Sequence, residues 1–203
     1  MPQRIIGVSK RLIEVAKKEF LEKGFEGASI RTIAREANTS PRAIYTRFEN
    51  KEELFAAVVE RVYSDFLKMF KEDKFIYWEK ARNRDFSTNP EDFYLRYLDY
   101  AYVHKDQFIL ILKQSTGTRF EHFTQALCEI DLVELNKHLP QLLEDFKKYQ
   151  KDESTKLFLS TITYSFYDAL FAPLLEGVEL DVAKAYITKL TRFYNDGILA
   201  GIK

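Results

Sequence analysis

The sequence predicts an all-α fold, on three observations. Apolar residues recur every three or four positions through most of the chain, the period of a helix packed on one side. Only seven Gly and five Pro interrupt 203 residues, too few for the turns of an all-β chain. The alternation of β-branched and polar residues that marks a half-buried strand is missing.

The first helix is expected over residues 3–23. Ile5, Val8, Leu12, Val15, Ala16 and Phe20 share one face, and Arg4, Arg11, Lys17, Lys18 and Lys23 occupy the other. Gly24 ends it as a C-terminal glycine does, with Phe25 folding back on the core and Gly27 loosening the connection. Ser29 is a good N-cap for a second helix, whose apolar face is Ile30, Ile33, Ala34 and Ala37. Asn38 stands where a turn between helices needs a residue tolerant of left-handed backbone. Ser40-Pro41 opens a third helix, since proline at the first helical position gives up no needed N–H. From this three-turn rod Ile44 and Phe48 point inward, Arg42 and Thr46 point roughly opposite, and Tyr45 and Arg47 flank them. Asn50, followed by Glu52 and Glu53, caps a fourth helix over residues 51–71 with Leu54, Phe55, Val58, Val59, Val62, Phe66 and Phe70 inward.

With these residues in register, the run from Ala16 through Phe55 resembles the TetR family of transcriptional repressors. Phe20, Gly24, Phe25, Ser29, Ile33, Ala34, Ala37, Ser40, Ile44, Tyr45, Phe48, Lys51 and Leu54 carry the likeness, which covers the first quarter of the chain. The resemblance implies an all-helical homodimer. Its N-terminal helix-turn-helix domain would occupy residues 1–50, joined through the helix at 51–71 to a divergent C-terminal bundle, residues 51–203, that senses a ligand and dimerises. Two places depart from the family pattern, which usually has Gly where Asn38 stands and Lys-Gly or a similar flexible pair where Pro41-Arg42 stands.

Residues 72–90 break the period and hold the only tryptophan, Trp78; they read as a short helix or loop leading to Pro90. The pattern resumes from Glu91 with Phe93, Tyr94, Tyr97, Leu98, Ala101 and Tyr102, then breaks near His104–Asp106. Gln107–Gln114 is a short apolar segment, and Ser115-Thr116-Gly117-Thr118 is a turn. A long helix is expected from Arg119 to about Lys151, carrying Phe120, Phe123, Leu127, Ile130, Leu135, Leu142, Leu143 and Phe146, with a bend or restart at Pro140. Two last helices, Asp152 to about Glu176 and Asp181–Ile202, are apolar on more than one face, Ile198 and Leu199 included. Such surplus fits half of a four-helix dimer interface, the arrangement the resembled family uses.

Hydrophobic residues make up 46% and charged residues 31% of the chain, which excludes a disordered chain. Net charge is zero but unevenly placed: residues 1–51 hold 11 Lys+Arg against 6 Glu, leaving 20 basic against 25 acidic beyond. A basic head on an acidic body favours phosphate contact at one end. One cysteine, Cys128, allows no intramolecular disulfide and suits a reducing cytoplasm. No secretory leader or membrane-spanning run is evident, so a cytoplasmic location and no membrane partner are expected.

Arg and Thr on the outer face of a short, anchored helix are what major-groove insertion requires. Arg42 and Thr46 are the expected base readers, with Thr39, Pro41 and Ala43 near thymine methyl groups. Ser29, Ser40, Tyr45, Arg47 and Lys51 are expected on phosphates, and Arg31 on phosphate or groove. For an aromatic or lipophilic effector the candidate lining is Tyr97, Tyr100, Phe108, Phe120, Phe123, Tyr164 and Tyr167, with Gln114 or Arg119 as polar anchors. The three histidines, His104, His122 and His138, lack ligand spacing, Cys128 reads as buried packing, and no phosphate-cradling glycine loop exists. No cofactor, metal or enzymatic activity is expected. The whole reads as a TetR-like repressor released from a near-palindromic DNA operator by a small-molecule effector. The competing reading is a small-molecule-binding or interaction protein in which the helix-turn-helix is only a packing unit; an exposed Arg42/Thr46 face weighs against it.

Overall fold

The computed structural model describes residues 10–85, 87–142 and 152–202, with side chains described for all of these but 139–142 and 198–202. Ile5, Val8, Arg4, Leu143 and Phe146 of the expected helices lie outside the described residues, as do the side chains of Leu142, Ile198 and Leu199. The described chain is helical: α1 (Lys10–Gly27), α2 (Ile30–Glu36), α3 (Pro41–Tyr45), α4 (Lys51–Arg82), α5 (Pro90–Val103), α6 (Lys105–Lys113), α7 (Phe123–Leu142), α8 (Glu153–Leu175) and α9 (Leu180–Ile202). Among the described residues no helix is long and apolar enough to cross a membrane.

The chain divides into two compact units. The first contains the described residues up to Asp65 together with His104–His122; the second contains the described residues of Phe66–Val103 and from Phe123 onward. The packing divides within α4, between Asp65 and Phe66. The first turns of α4 belong with the head because Phe55 is fully buried there, edge-on to Phe20 at 5.0 Å and Phe25 at 5.6 Å. Phe120 joins the same cluster, 5.9 Å from Phe55 and 5.1 Å from Tyr63, which brings the 104–122 segment with it.

The first unit turns on Gly24. Its φ of 69° and ψ of 171° break α1 in a region that only glycine adopts without strain. The break frees the Phe25 N–H to donate to the Gln114 carbonyl at 2.8 Å. Arg119 ties the same unit together: its guanidinium reaches Glu53 at 2.9 Å and Glu60 at 3.0 Å, and its N–H donates to Glu52 at 2.9 Å. The helix expected from Arg119 begins instead at Phe123, because residues 115–121 form turns. In them the Ser115 and Thr118 hydroxyls donate to the Ile111 and Ser115 carbonyls, each at 2.7 Å. The helix then continues through Pro140 to Leu142.

The second unit is built on stacked aromatic rings. Phe66 lies 5.4 Å from Tyr97, 5.5 Å from Phe123 and 5.9 Å from Phe171, and Phe70 lies 5.5 Å from Tyr167, all six rings being fully buried or nearly so. Within this unit α4 extends eleven residues past the expected end at Lys71, to Arg82. The inward stripe does not stop at Phe70. It continues through Asp73, Lys74, Trp78 and Ala81, at helical spacing but with two charged members. Asp73 is 3% exposed and pairs with Arg96 of α5. The Lys74 ammonium lies 2.8 Å from Asp131 of α7, over the rings of Phe70, Tyr94 and Tyr167 at 5.3–5.8 Å. Tyr167 donates its hydroxyl to the other Asp131 oxygen at 2.6 Å. Burial works against this ammonium, but the charge and hydrogen bond of Asp131 more than offset it and raise Lys74 above the ordinary lysine range.

α8 starts at an Asp152 cap, which accepts from the Thr155 N–H at 2.8 Å. It ends in a left-handed glycine, Gly177 at φ 71°, with the Val178 N–H donating back to the Pro173 carbonyl at 2.9 Å.

Two stability measurements test these features. Gly24→Ala forces a side chain into glycine-only backbone, and its Cβ would meet the Gln114 amide oxygen at 2.7 Å. We expect a loss of about 1–3 kcal/mol in urea unfolding; an unchanged midpoint would mean the elbow is not formed. Lys74→Met leaves Asp131 buried without its cation and should cost about 3 kcal/mol or more. Adding Asp131→Asn, which keeps an acceptor for Tyr167, should recover more than half of that loss in a double-mutant cycle.

Candidate nucleic-acid interface

The helix-turn-helix is assembled by caps that act within three residues of themselves. The Ser29 hydroxyl accepts from the Thr32 N–H at 3.4 Å, and the Ser29 N–H donates to Glu19 of α1 at 3.0 Å. Ile30, Ile33 and Ala34 bury one face of α2, and Arg11 of α1 donates to the Glu36 carbonyl at its end, 3.1 Å away. Asn38 then takes the left-handed conformation, φ 53°, that the turn requires. The Thr39 N–H closes that turn on the Ala34 carbonyl at 2.9 Å. Ser40 caps α3 by accepting from the Ala43 N–H at 3.1 Å, with Pro41 in the first helical position.

α3 is shorter than the rod its pattern predicts. It holds five residues, after which Thr46 stays helical and the N–H groups of Arg47 and Phe48 both donate to the Ile44 carbonyl, at 2.9 and 3.0 Å. The chain leaves the helix there because Phe48 must turn into the core: Ile44 is 1% and Phe48 2% exposed. Opposite them, Thr39, Ser40, Pro41, Arg42, Tyr45, Thr46 and Arg47 are all exposed, Tyr45 by 51%; Arg31 on α2 is exposed as well. Among the described residues the guanidinium groups of Arg31, Arg42 and Arg47 make no hydrogen bond or ion pair with the chain. They are free for another partner.

Lys51 differs from these. It is half-buried, its ammonium donates to the Glu26 and Ala28 carbonyls at 3.0 and 3.2 Å, and it sits 4.7 Å over the Phe25 ring. Two of its three N–H groups therefore hold the α1–α2 connection, leaving one for a phosphate.

The seven rings considered for an effector do not form one group. Phe108 and Phe120 belong to the unit of the head. Tyr164 is 46% exposed on α8. Tyr97, Tyr100, Phe123 and Tyr167 remain in the second unit, Tyr100 packing on Phe66 at 5.9 Å. Burial, then the charge of Asp73, raises the phenol pKa of Tyr97; burial and Asp131 do the same for Tyr167. Both are neutral donors at any physiological pH. The polar anchors considered with them are engaged elsewhere: Gln114 against Gly24 and Phe25, Arg119 among three glutamates. The polar groups that do reach the second core, Asp73, Lys74 and Asp131, carry no sequence signal as charges. Only the continuation of the Phe66–Phe70 spacing to positions 73 and 74 marks the first two as inward.

Cys128 is buried beside the Ser160 carbonyl, and burial together with Asp131 and Glu129 pushes its thiol up to about 11. It is not a thiolate at neutral pH. His138 stacks on Trp78 at 5.3 Å with its Nε2 3.1 Å from Glu134. Among the described residues no group of three His, Cys, Asp or Glu side chains is placed to hold a metal ion.

Residues 12–58, from α1 into α4, match the family model of bacterial regulatory proteins of the tetR family. An HTH-type transcriptional repressor of Streptomyces coelicolor is 45% identical over 51 residues, and the HTH-type transcriptional repressor NicS of Pseudomonas putida is 38% identical over 55. These alignments cover 25% and 27% of this chain, which thus spans about a quarter of the relatives' lengths, 27% and 26%. An HTH-type transcriptional regulator of Staphylococcus aureus (strain USA300) is 26% identical over 190 residues, 93% of each chain. A transcriptional regulator from Aquifex aeolicus VF5 has the same fold, with a TM-score of 0.59 at 22% identity over 92% of this chain and 99% of that one. A TetR-like regulator from Rhodococcus superposes with a TM-score of 0.52 at 22% identity over 89% and 91%. Residues 12–58 are thus similar to the tetR-family DNA-binding segment, and the chain as a whole shares the fold of the solved regulators.

Proposed function

We propose that the protein is a dimeric transcriptional repressor that binds a near-palindromic operator and leaves it when a small molecule binds the second unit. The observation that carries the reading is Arg42: an exposed guanidinium without intramolecular partners, on a helix whose opposite side is held by Ile44 and Phe48. A packing unit alone needs no such face. Arg42 pairs with guanine through its fork of donors. Arg31, Tyr45 and Arg47 supply phosphate contacts around it, and the Ser29 and Ser40 hydroxyls, already accepting from backbone N–H groups, keep their own protons for phosphate oxygens. Thr39 and Pro41 sit at the leading edge of α3 beside the groove.

Two copies of α3 must meet successive major grooves on one side of the duplex, about 34–36 Å apart. The dimer surface is on α8 and α9, where Leu157, Tyr164, Val182 and Phe193 stay exposed in the single chain. The effector is an aromatic or lipophilic molecule that enters among Tyr97, Tyr100, Phe123 and Tyr167. It acts by differential affinity for two states of α4, one continuous helix with residues in both units.

A gel shift with the DNA upstream of the protein's own gene tests the reading, a retained, salt-sensitive complex being expected. Arg42→Ala should weaken binding to that fragment by about tenfold or more, from the 1–3 kcal/mol of a bidentate base contact, with little change on random DNA. Equal loss on both would remove its base-reading role. For Lys51→Met we expect weaker binding to both DNAs and a smaller salt slope, together with a lower melting temperature, since its clasp on Glu26 and Ala28 is lost.

A further inference from the structure

We propose that Thr46 reads its base pair through its methyl group, so that each operator half-site carries a thymine facing this residue. The inference rests on the DNA-binding reading above and specifies which base edge one side chain takes. Thr46 is exposed at the end of α3, with helical backbone at φ −70° and ψ −21°. Its hydroxyl donates to the Arg42 carbonyl at 2.8 Å, and its own N–H donates to the same oxygen at 2.9 Å. A hydroxyl carries one proton. With that proton on the backbone, Thr46 has no donor for guanine O6 or N7, adenine N7 or thymine O4.

The hydroxyl oxygen keeps lone pairs that could accept only from adenine N6 or cytosine N4, whereas the methyl group has its own counterpart, the C5-methyl of thymine, the apolar mark on a major-groove edge. The hydrogen bond to the carbonyl four residues back selects this one of the two rotamers open to a helical threonine. Arg42 lies one turn earlier on the same face, about 5.4 Å along the axis. Its guanine and the thymine of Thr46 therefore fall within about two base pairs of each other.

The test uses the full-length protein and a duplex that it selects from a random pool. Each thymine is replaced in turn by deoxyuridine, which removes only the C5-methyl. For the unaltered protein, one replacement per half-site should weaken binding about fourfold, the worth of one buried methyl group. Thr46→Val keeps the shape and the methyl without the hydroxyl and should retain that sensitivity. Thr46→Ser keeps the hydroxyl without the methyl and should lose it. Circular dichroism confirms that both variants stay helical. If Thr46→Ser keeps the sensitivity, or if Thr46→Val loses binding that Thr46→Ser retains, the hydroxyl or another residue reads the base and the inference is overturned. A protein that selects no duplex at all would instead remove the DNA-binding reading beneath it.

Discussion

The reading head depends on a single position without a side chain. Gly24 turns the backbone through a conformation that other residues reach only with strain, and this swings Phe25 from the line of α1 onto Phe55. Everything that orients the head follows from that turn. Phe25 carries the Lys51 ammonium on its ring, and Lys51 in turn holds the Glu26 and Ala28 carbonyls just before the Ser29 cap. The free N–H of Phe25 fastens the same point to Gln114. The angle at which α2 leaves α1, and with it the placement of α3, is set by contacts among neighbours of one glycine. Hydrophobic contact alone would not fix it, because rings slide over one another more easily than hydrogen bonds stretch.

The head was legible in the sequence because its determinants are local. Ser29, Asn38 and Ser40-Pro41 each act within a few residues, and the structure shows each doing what its chemistry implies. The end of α3 was less legible. The inward spacing of Ile44 and Phe48 suits a longer rod, but Phe48 reaches the core by leaving the helix, and period alone does not distinguish the two. Lys51 shows a further limit: a lysine at a helix start reads as a phosphate contact, and only coordinates reveal which carbonyls stand within reach.

In the second unit the sequence misled for a definite physical reason. A helix stripe is recognised by apolar residues, and α4 fills two inward positions with Asp73 and Lys74. Each is neutralised by a residue far along the chain, Arg96 and Asp131, so nothing nearby signals burial. Buried charges like these add little net stability over apolar packing even when paired, but each is strongly unfavourable when its partner is absent. They therefore favour one axial register of α4 against α5 and α7 over its neighbours, where rings alone would tolerate a shift. The aromatic count likewise marked an aromatic interior but not its partition. Phe108 and Phe120 went to the head and Tyr164 to the surface, destinations set by long-range packing.

A helix as short as α3, five residues, would not survive alone in water, since nucleating so short a helix is unfavourable. Its order comes from both ends: a serine cap with proline at one, and Ile44 with Phe48 in the core at the other. The departure from the resembled family at Pro41-Arg42 acts on that balance. Proline restricts the first helical residue in the unfolded chain, and arginine in place of glycine lowers the entropy lost on folding, so both changes favour the helix before any DNA is present. The same substitution adds the one outward guanidinium on α3 itself. Stiffening the helix and arming it thus coincide at neighbouring residues, and a side chain placed on an already ordered helix loses less freedom when it meets a base edge. On the proposed reading, specificity in this head follows from preorganisation as much as from the identity of the groups presented.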